Sequence, residues 1–181
     1  MILILLGLIL WAGSHYWKRL APGSRAQAGD KGKIVVAIAS VLGIVLMVIG
    51  YRGAEGTFFW GPSAALVGIN NLLVLFAFYL FASSGAKTRI TRRIRHPQLT
   101  AVKVWAVAHL LVNGDTPSFL LFGGLLAWAV GEVILINRAE PAWTPAHPVP
   151  VRKEITAIIA TVVVFAVVAG IHTWLGVNPF A

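Results

Sequence analysis

The stretch Ile34–Tyr51, IVVAIASVLGIVLMVIGY, decides the architecture. Its 18 residues include no charged side chain. As a helix it would run roughly 27 Å, close to the hydrocarbon thickness of a bilayer. Working outward, five more apolar stretches of spanning length follow the same pattern: Met1–Trp17, Pro62–Ser83, Pro97–Asn113, Thr116–Asn137 and Lys153–Val177. The breaks between them carry turn formers, among them Pro22-Gly23-Ser24, Gly61-Pro62, Asn113-Gly114-Asp115 and the prolines from Pro145 to Pro150. The Asn-Gly-Asp turn is so short that spans four and five are expected to form a tight antiparallel hairpin. Met1–Trp17 is read as a span, because no Lys or Arg precedes its apolar run and no small-residue cleavage site follows it.

The whole chain agrees with that stretch. Of 181 residues, 58% are hydrophobic and 12% charged, with a mean hydropathy of +0.82. Soluble domains hold roughly 45–50% apolar and about 25% charged residues, so a soluble enzyme and a disordered chain are both excluded. The absence of cysteine removes disulfides, thiolate metal sites, iron–sulfur clusters and thiol nucleophiles. The expected fold is all-α: one polytopic membrane domain over residues 1–181, a helix bundle of about six transmembrane helices, with membrane lipids as its surroundings.

Orientation comes from the basic residues. Lys18, Arg19, Arg25, Lys31 and Lys33 fall in the first loop, Lys87, Arg89, Arg92, Arg93 and Arg95 in the third, and Arg138, Arg152 and Lys153 in the fifth. The opposite side holds Arg52 alone, while Lys103 lies within a span. Positive charge stays in the cytoplasm, so both termini are expected outside, in the periplasm of a bacterium. The net charge of +9 is thus read as a topology signal and an attraction to anionic headgroups. Nucleic acid is not an expected partner, since no aromatic platform is interleaved with the basic clusters.

Ionisable groups inside spans are costly and mark candidate sites. They are Lys103, His109, Glu132 and His172, with His15 and His96 near span ends. Asn70 and Asn71 add a neutral polar pair. Lys103 and Glu132 each lie six residues from the cytoplasmic ends of neighbouring spans, roughly 9 Å deep, and are expected to pair as ions; a proton relay through Glu132 is the rival reading. The histidines admit two readings, helix–helix hydrogen bonding or ligation of haem iron in an apolar cavity. Zinc suits them less, because no two histidines stand at i and i+3 or i+4. His147, among prolines, is expected to be solvated. The small residues Gly123, Ala127 and Gly131, and Ala166 with Gly170, are expected to mark faces where helices pack closely.

Arg95-His96-Pro97-Gln98-Leu99, Val102-Lys103-Val104-Trp105 and His109-Leu110-Leu111-Val112-Asn113-Gly114-Asp115 together resemble the signature of the NnrU family. Gly13-Ser14-His15, Phe122-Gly123 with Ala127-Trp128-Ala129, and the segment from His172 to Pro179 fit the same pattern, so the resemblance covers nearly the whole chain. It implies a bacterial inner-membrane protein associated with nitrite and nitric oxide reduction in denitrification. The family is similar to the plant 15-cis-zeta-carotene isomerase, which is taken to hold haem b through histidines and to isomerise a carotenoid double bond. On that likeness His15 and His109 are the implied ligands to the metal, His172 a further candidate, and His96 a shared motif histidine. Arg95, Asn113 and Asp115 match motif positions to which the likeness assigns no role.

The function so implied is a haem-b-dependent isomerase or redox protein acting on a lipophilic polyene. The alternative is a non-catalytic accessory protein that supports a respiratory reductase. Arg-His-Pro also opens a motif of isoprenylcysteine-type membrane methyltransferases, but that pattern continues with Tyr and Gly where this chain has Leu99 and Ala101, which argues against methyl transfer. If the helices are straight, His15 lies roughly 3 Å, His109 roughly 18 Å and His172 roughly 28 Å from the cytoplasmic end of its span. His15 with His109, and His109 with His172, are therefore both open as ligand pairs.

Overall fold

A computed structural model describes residues 1–145 and 150–180 of the chain; His147 lies outside the described residues. The helices are α1 (Ile2–Leu20), α2 (Pro22–Gln27), α3 (Gly29–Arg52), α4 (Ala64–Ala86), α5 (Pro97–Val112), α6 (Thr116–Ala139) and α7 (Val151–Trp174). Two short strands, β1 (Phe58–Trp60) and β2 (Gly114–Asp115), pair with each other. The chain forms two compact units, residues 1–59 with 114–141 and residues 60–113 with 142–181.

Among the described residues, α3, α4, α6 and α7 are long and apolar enough to cross a membrane. α5 has only 16 residues, or roughly 24 Å of helix against about 30 Å of hydrocarbon. α1 has 19 residues and closes on Lys18 and Arg19. Their helical character matches the sequence reading; α5 is set apart from the other four by its length, and α1 by its polar last turns, Ser14-His15-Tyr16 and Lys18-Arg19.

In the first unit, α1 and α3 meet through glycine. A Cβ at Gly7 would stand 2.6 Å from the Gly43 carbonyl oxygen, and one at Gly50 would stand 2.7 Å from the Ile4 nitrogen. What α3 buries is Gly32, Gly43, Met47 and Gly50, while Ile34 and Val41 are 59% and 61% exposed. A helix that packs its small residues and turns its large aliphatic ones outward is arranged for lipid, where burying apolar surface against protein gains little and close backbone approach gains more.

In the second unit, α4 packs against both α5 and α7. Ala77, Leu80 and Ala101 form its core, with Val104 and Trp105 packed against them. α4 starts on a Ser63 cap, whose hydroxyl accepts from the Leu66 N–H at 3.3 Å. It ends on Lys87 in the left-handed region, φ 56°.

The hairpin expected of spans four and five would join the two units, since the chain passes from one to the other between Asn113 and Gly114. The Asn113–Asp115 turn extends into β2, the Thr116 N–H donates to the Thr57 carbonyl at 3.0 Å, and α5 and α6 go to different units. Strand pairing takes the backbone groups that a tight helical turn would have used. The small-residue faces are also only partly as expected. Gly131 takes the Tyr16 hydroxyl and Gly124 takes Leu8, but nothing approaches a Cβ at Gly123 or Gly170. Ala166 and Gly170 instead line an open apolar groove of about 620 Å³ with Phe165, Thr173, Trp174 and Phe180.

Candidate functional site

The three span histidines share one local geometry. His15 Nδ1 lies 2.7 Å from the Trp11 carbonyl oxygen, His109 Nδ1 2.9 Å from that of Trp105, and His172 Nδ1 2.8 Å from that of Val168. Each partner is the residue one helical turn back, whose carbonyl tilts toward the ring. A carbonyl oxygen can only accept, so each Nδ1 carries the proton. In a neutral imidazole that makes Nε2 the acceptor nitrogen, the tautomer in which histidine ligates a metal.

In the first unit, His15 sits among aromatics. Its ring centroid is 4.4 Å from that of Trp11 and 5.1 Å from that of Trp128, and the two indoles meet edge to face at 5.3 Å. The Tyr16 hydroxyl donates to the Trp128 carbonyl at 2.9 Å, fastening α1 to α6. Glu132 follows Trp128 by one turn, and its electrostatic neighbours are Arg19 and His15. Arg19 in turn donates to Glu140 at 2.7 Å. Three buried polar atoms here have no hydrogen-bond partner among the described residues: Trp11 Nε1, Trp128 Nε1 and Glu132 Oε2.

In the second unit, His109 leans on Trp105, with ring centroids 4.7 Å apart. His172 is close enough to interact with it electrostatically. Asn113 Nδ2 donates to the His109 carbonyl at 2.9 Å, and Trp60 Nε1 donates to the Leu110 carbonyl at 3.1 Å. The His109 carbonyl also accepts the Asn113 backbone N–H at 2.9 Å, and the Trp60 bond occupies a carbonyl of the last turn of α5 that helix geometry leaves without a partner.

The other candidate residues separate into structural positions. Asp115 caps α6, its Oδ1 accepting from the Ser118 N–H at 2.8 Å, and Asn113 closes α5. Pro97 is the buried first residue of α5, with His96 as its N-cap. His96 is thus thirteen residues from His109 on the same helix, roughly 20 Å away, and is not gathered with it. Arg95 precedes it in the basic loop.

The expected Lys103–Glu132 ion pair joins residues of different units. Lys103 belongs to the second unit, and Glu132 in the first has Arg19 and His15 as its electrostatic neighbours. Within the units, α5 packs on α4 and α6 packs on α1. Among the described residues, no three His, Cys, Asp or Glu side chains converge, so the imidazoles stand singly or in pairs.

The sequence reading missed Trp11, Tyr16 and Trp128 as neighbours of His15. A signal was present: Trp-x-x-x-His occurs at Trp11–His15 and again at Trp105–His109, and four-residue spacing on a helix places the ring beside the indole. The family model described as NnrU protein matches residues 3–179, nearly the whole chain. No curated protein and no solved structure matches it.

Proposed function

Because the chain belongs to the NnrU family, we propose that it is a six-span protein of the bacterial inner membrane that binds haem b and acts as an isomerase or redox protein on a lipophilic polyene. The observation that carries the haem reading is the shared tautomer: at His15, His109 and His172 alike, a backbone carbonyl holds the Nδ1 proton and leaves Nε2 as the acceptor. Imidazoles so fixed fit the donor set that haem iron takes.

In the proposed topology α1 and α5 are the two remaining spans, and both termini are periplasmic, as the loop charges require. His109 is one ligand. His172 is favoured as the second, because it shares a unit with His109; His15 is the competing partner. Bound haem would supply a redox-active iron in an apolar setting. The chain's own groups orient the ligands: the Trp105 carbonyl and indole fix the His109 ring, and the Val168 carbonyl fixes that of His172. Trp11 and Trp128 flank the His15 ring.

The test is turnover. Purified protein incubated with a cis-configured polyene should convert it. Absence of product together with co-purification of a respiratory reductase would instead make the chain an accessory to nitrite or nitric oxide reduction.

A further inference from the structure

The formal charge is divided unevenly between the two units. The first sets Asp30, Glu55, Asp115, Glu132 and Glu140 against its basic residues, whereas in the second the sole acidic side chain is Glu154. Against it stand the five basic residues of the loop from Lys87 to Arg95, then Lys103, Arg152 and Lys153.

Glu154 does not neutralise a side chain there. Its Oε2 accepts from the Tyr79 hydroxyl at 3.0 Å, and its Oε1 from the Arg89 backbone N–H at 2.5 Å. These two bonds pin the start of α7 beside the end of α4 and the basic loop. The loop's cations and those of α7 are thereby collected at one end of the unit. Lys87, Arg89, Arg92, Arg93, Arg152 and Lys153 are all exposed.

The other end has the opposite character. Asn71 Nδ2 donates to the Pro179 carbonyl at 3.0 Å, and Trp60 Nε1 to that of Leu110, so the start of α4, the end of α5 and the residues after α7 come together. No Lys, Arg, Asp or Glu occurs at 60–64, 110–113 or 174–180, while Trp60, Trp174 and Phe180 are exposed. Between the ends, α7 turns Ile158, Val162 and Val167 outward. A cationic end, an apolar flank and an aromatic end make the profile of a unit seated in a bilayer, with its cations at one headgroup layer.

We propose that this basic collar, formed by the Lys87–Arg95 loop and the first turn of α7, is a binding site for the phosphate headgroups of anionic phospholipids. Such collars attract headgroups by about 1 kcal/mol per Lys or Arg near the surface, or about fivefold in affinity per charge. Two basic segments held side by side by one glutamate can engage one headgroup together. Arginine adds paired N–H donors that match phosphate oxygens.

The experiment follows the melting temperature of the full-length protein in a neutral detergent during titration with phosphatidylglycerol, phosphatidylcholine or inorganic phosphate. Phosphatidylglycerol should raise it saturably; the other two should not. The triple variant R92A/R93A/R152A, changed only at exposed positions, should need on the order of 100-fold more phosphatidylglycerol for the same response. Equal responses to both lipids, a response to inorganic phosphate alone, or an unaltered response in the variant would overturn the proposal. Should the variant fail to fold, the native protein decides: about 0.5 M salt should weaken the response at least tenfold by screening, and a salt-insensitive response would overturn it.

Discussion

His109 Nδ1 gives its proton to the Trp105 carbonyl at 2.9 Å while the imidazole lies against the Trp105 indole, 4.7 Å between centroids. One residue thus sets both the tautomer and the plane of the ring. His15 repeats the relationship with Trp11 in the other unit. Replacing Trp105 with Leu should keep the carbonyl bond, which is backbone, and lose the ring's support. The expected result is a broadened visible spectrum in the purified protein without loss of bound haem.

The close approach of α1 and α3 predicts a sharp contrast among glycines. Gly7→Ala should destabilise the protein by about 1–3 kcal/mol, because its Cβ meets Gly43 backbone that cannot move aside. Gly123→Ala, where nothing lies within 4 Å, should be neutral within about 0.5 kcal/mol. Unfolding in mixed detergent micelles measures both.

Asp115 is expected to act as a helix cap. Asp115→Ala should cost about 1 kcal/mol, and Asp115→Ser should retain most of the stability by offering another acceptor to the Ser118 N–H. Equal losses in the two variants would show that the carboxylate is needed for something beyond capping.

Glu132 should couple to Arg19. A double-mutant cycle on Glu132→Gln and Arg19→Met is expected to show an interaction of at least about 0.5 kcal/mol, and additivity of the two changes would contradict it. The two are electrostatic neighbours within the first unit.

The four long apolar helices were legible because a bilayer demands about 20 apolar residues of a span. Ile34–Tyr51 became Gly29–Arg52, and Lys153–Val177 became Val151–Trp174. Pairing was not legible. Hydropathy reports that Thr116–Asn137 seeks an apolar setting but not which helix it meets, so the Lys103–Glu132 pair was inferred from chain neighbourhood. The α1–α3 contact turns on Gly7, Gly43 and Gly50, which are as common in an apolar helix as at an interface. The histidine positions were visible in the sequence. Their tautomers depend on the orientation of a ring toward the carbonyl one turn back, which a string of residues does not specify.

Orientation in the membrane is open to a direct assay. Fusion of alkaline phosphatase to the C-terminus should give active enzyme and fusion of GFP should stay dark, as the basic loops require. A fluorescent, phosphatase-inactive C-terminus would reverse the assigned topology.

The central claim, that span imidazoles hold haem b, is tested most directly by the visible spectrum of protein purified after expression with ample haem. The native chain should give a low-spin, two-histidine spectrum in both oxidation states. His109→Ala should turn it high-spin or empty the site. Of His172→Ala and His15→Ala, the variant that does the same identifies the second ligand, and His172 is the one expected. A colourless native protein, or a spectrum that survives His109→Ala unchanged, would contradict the account.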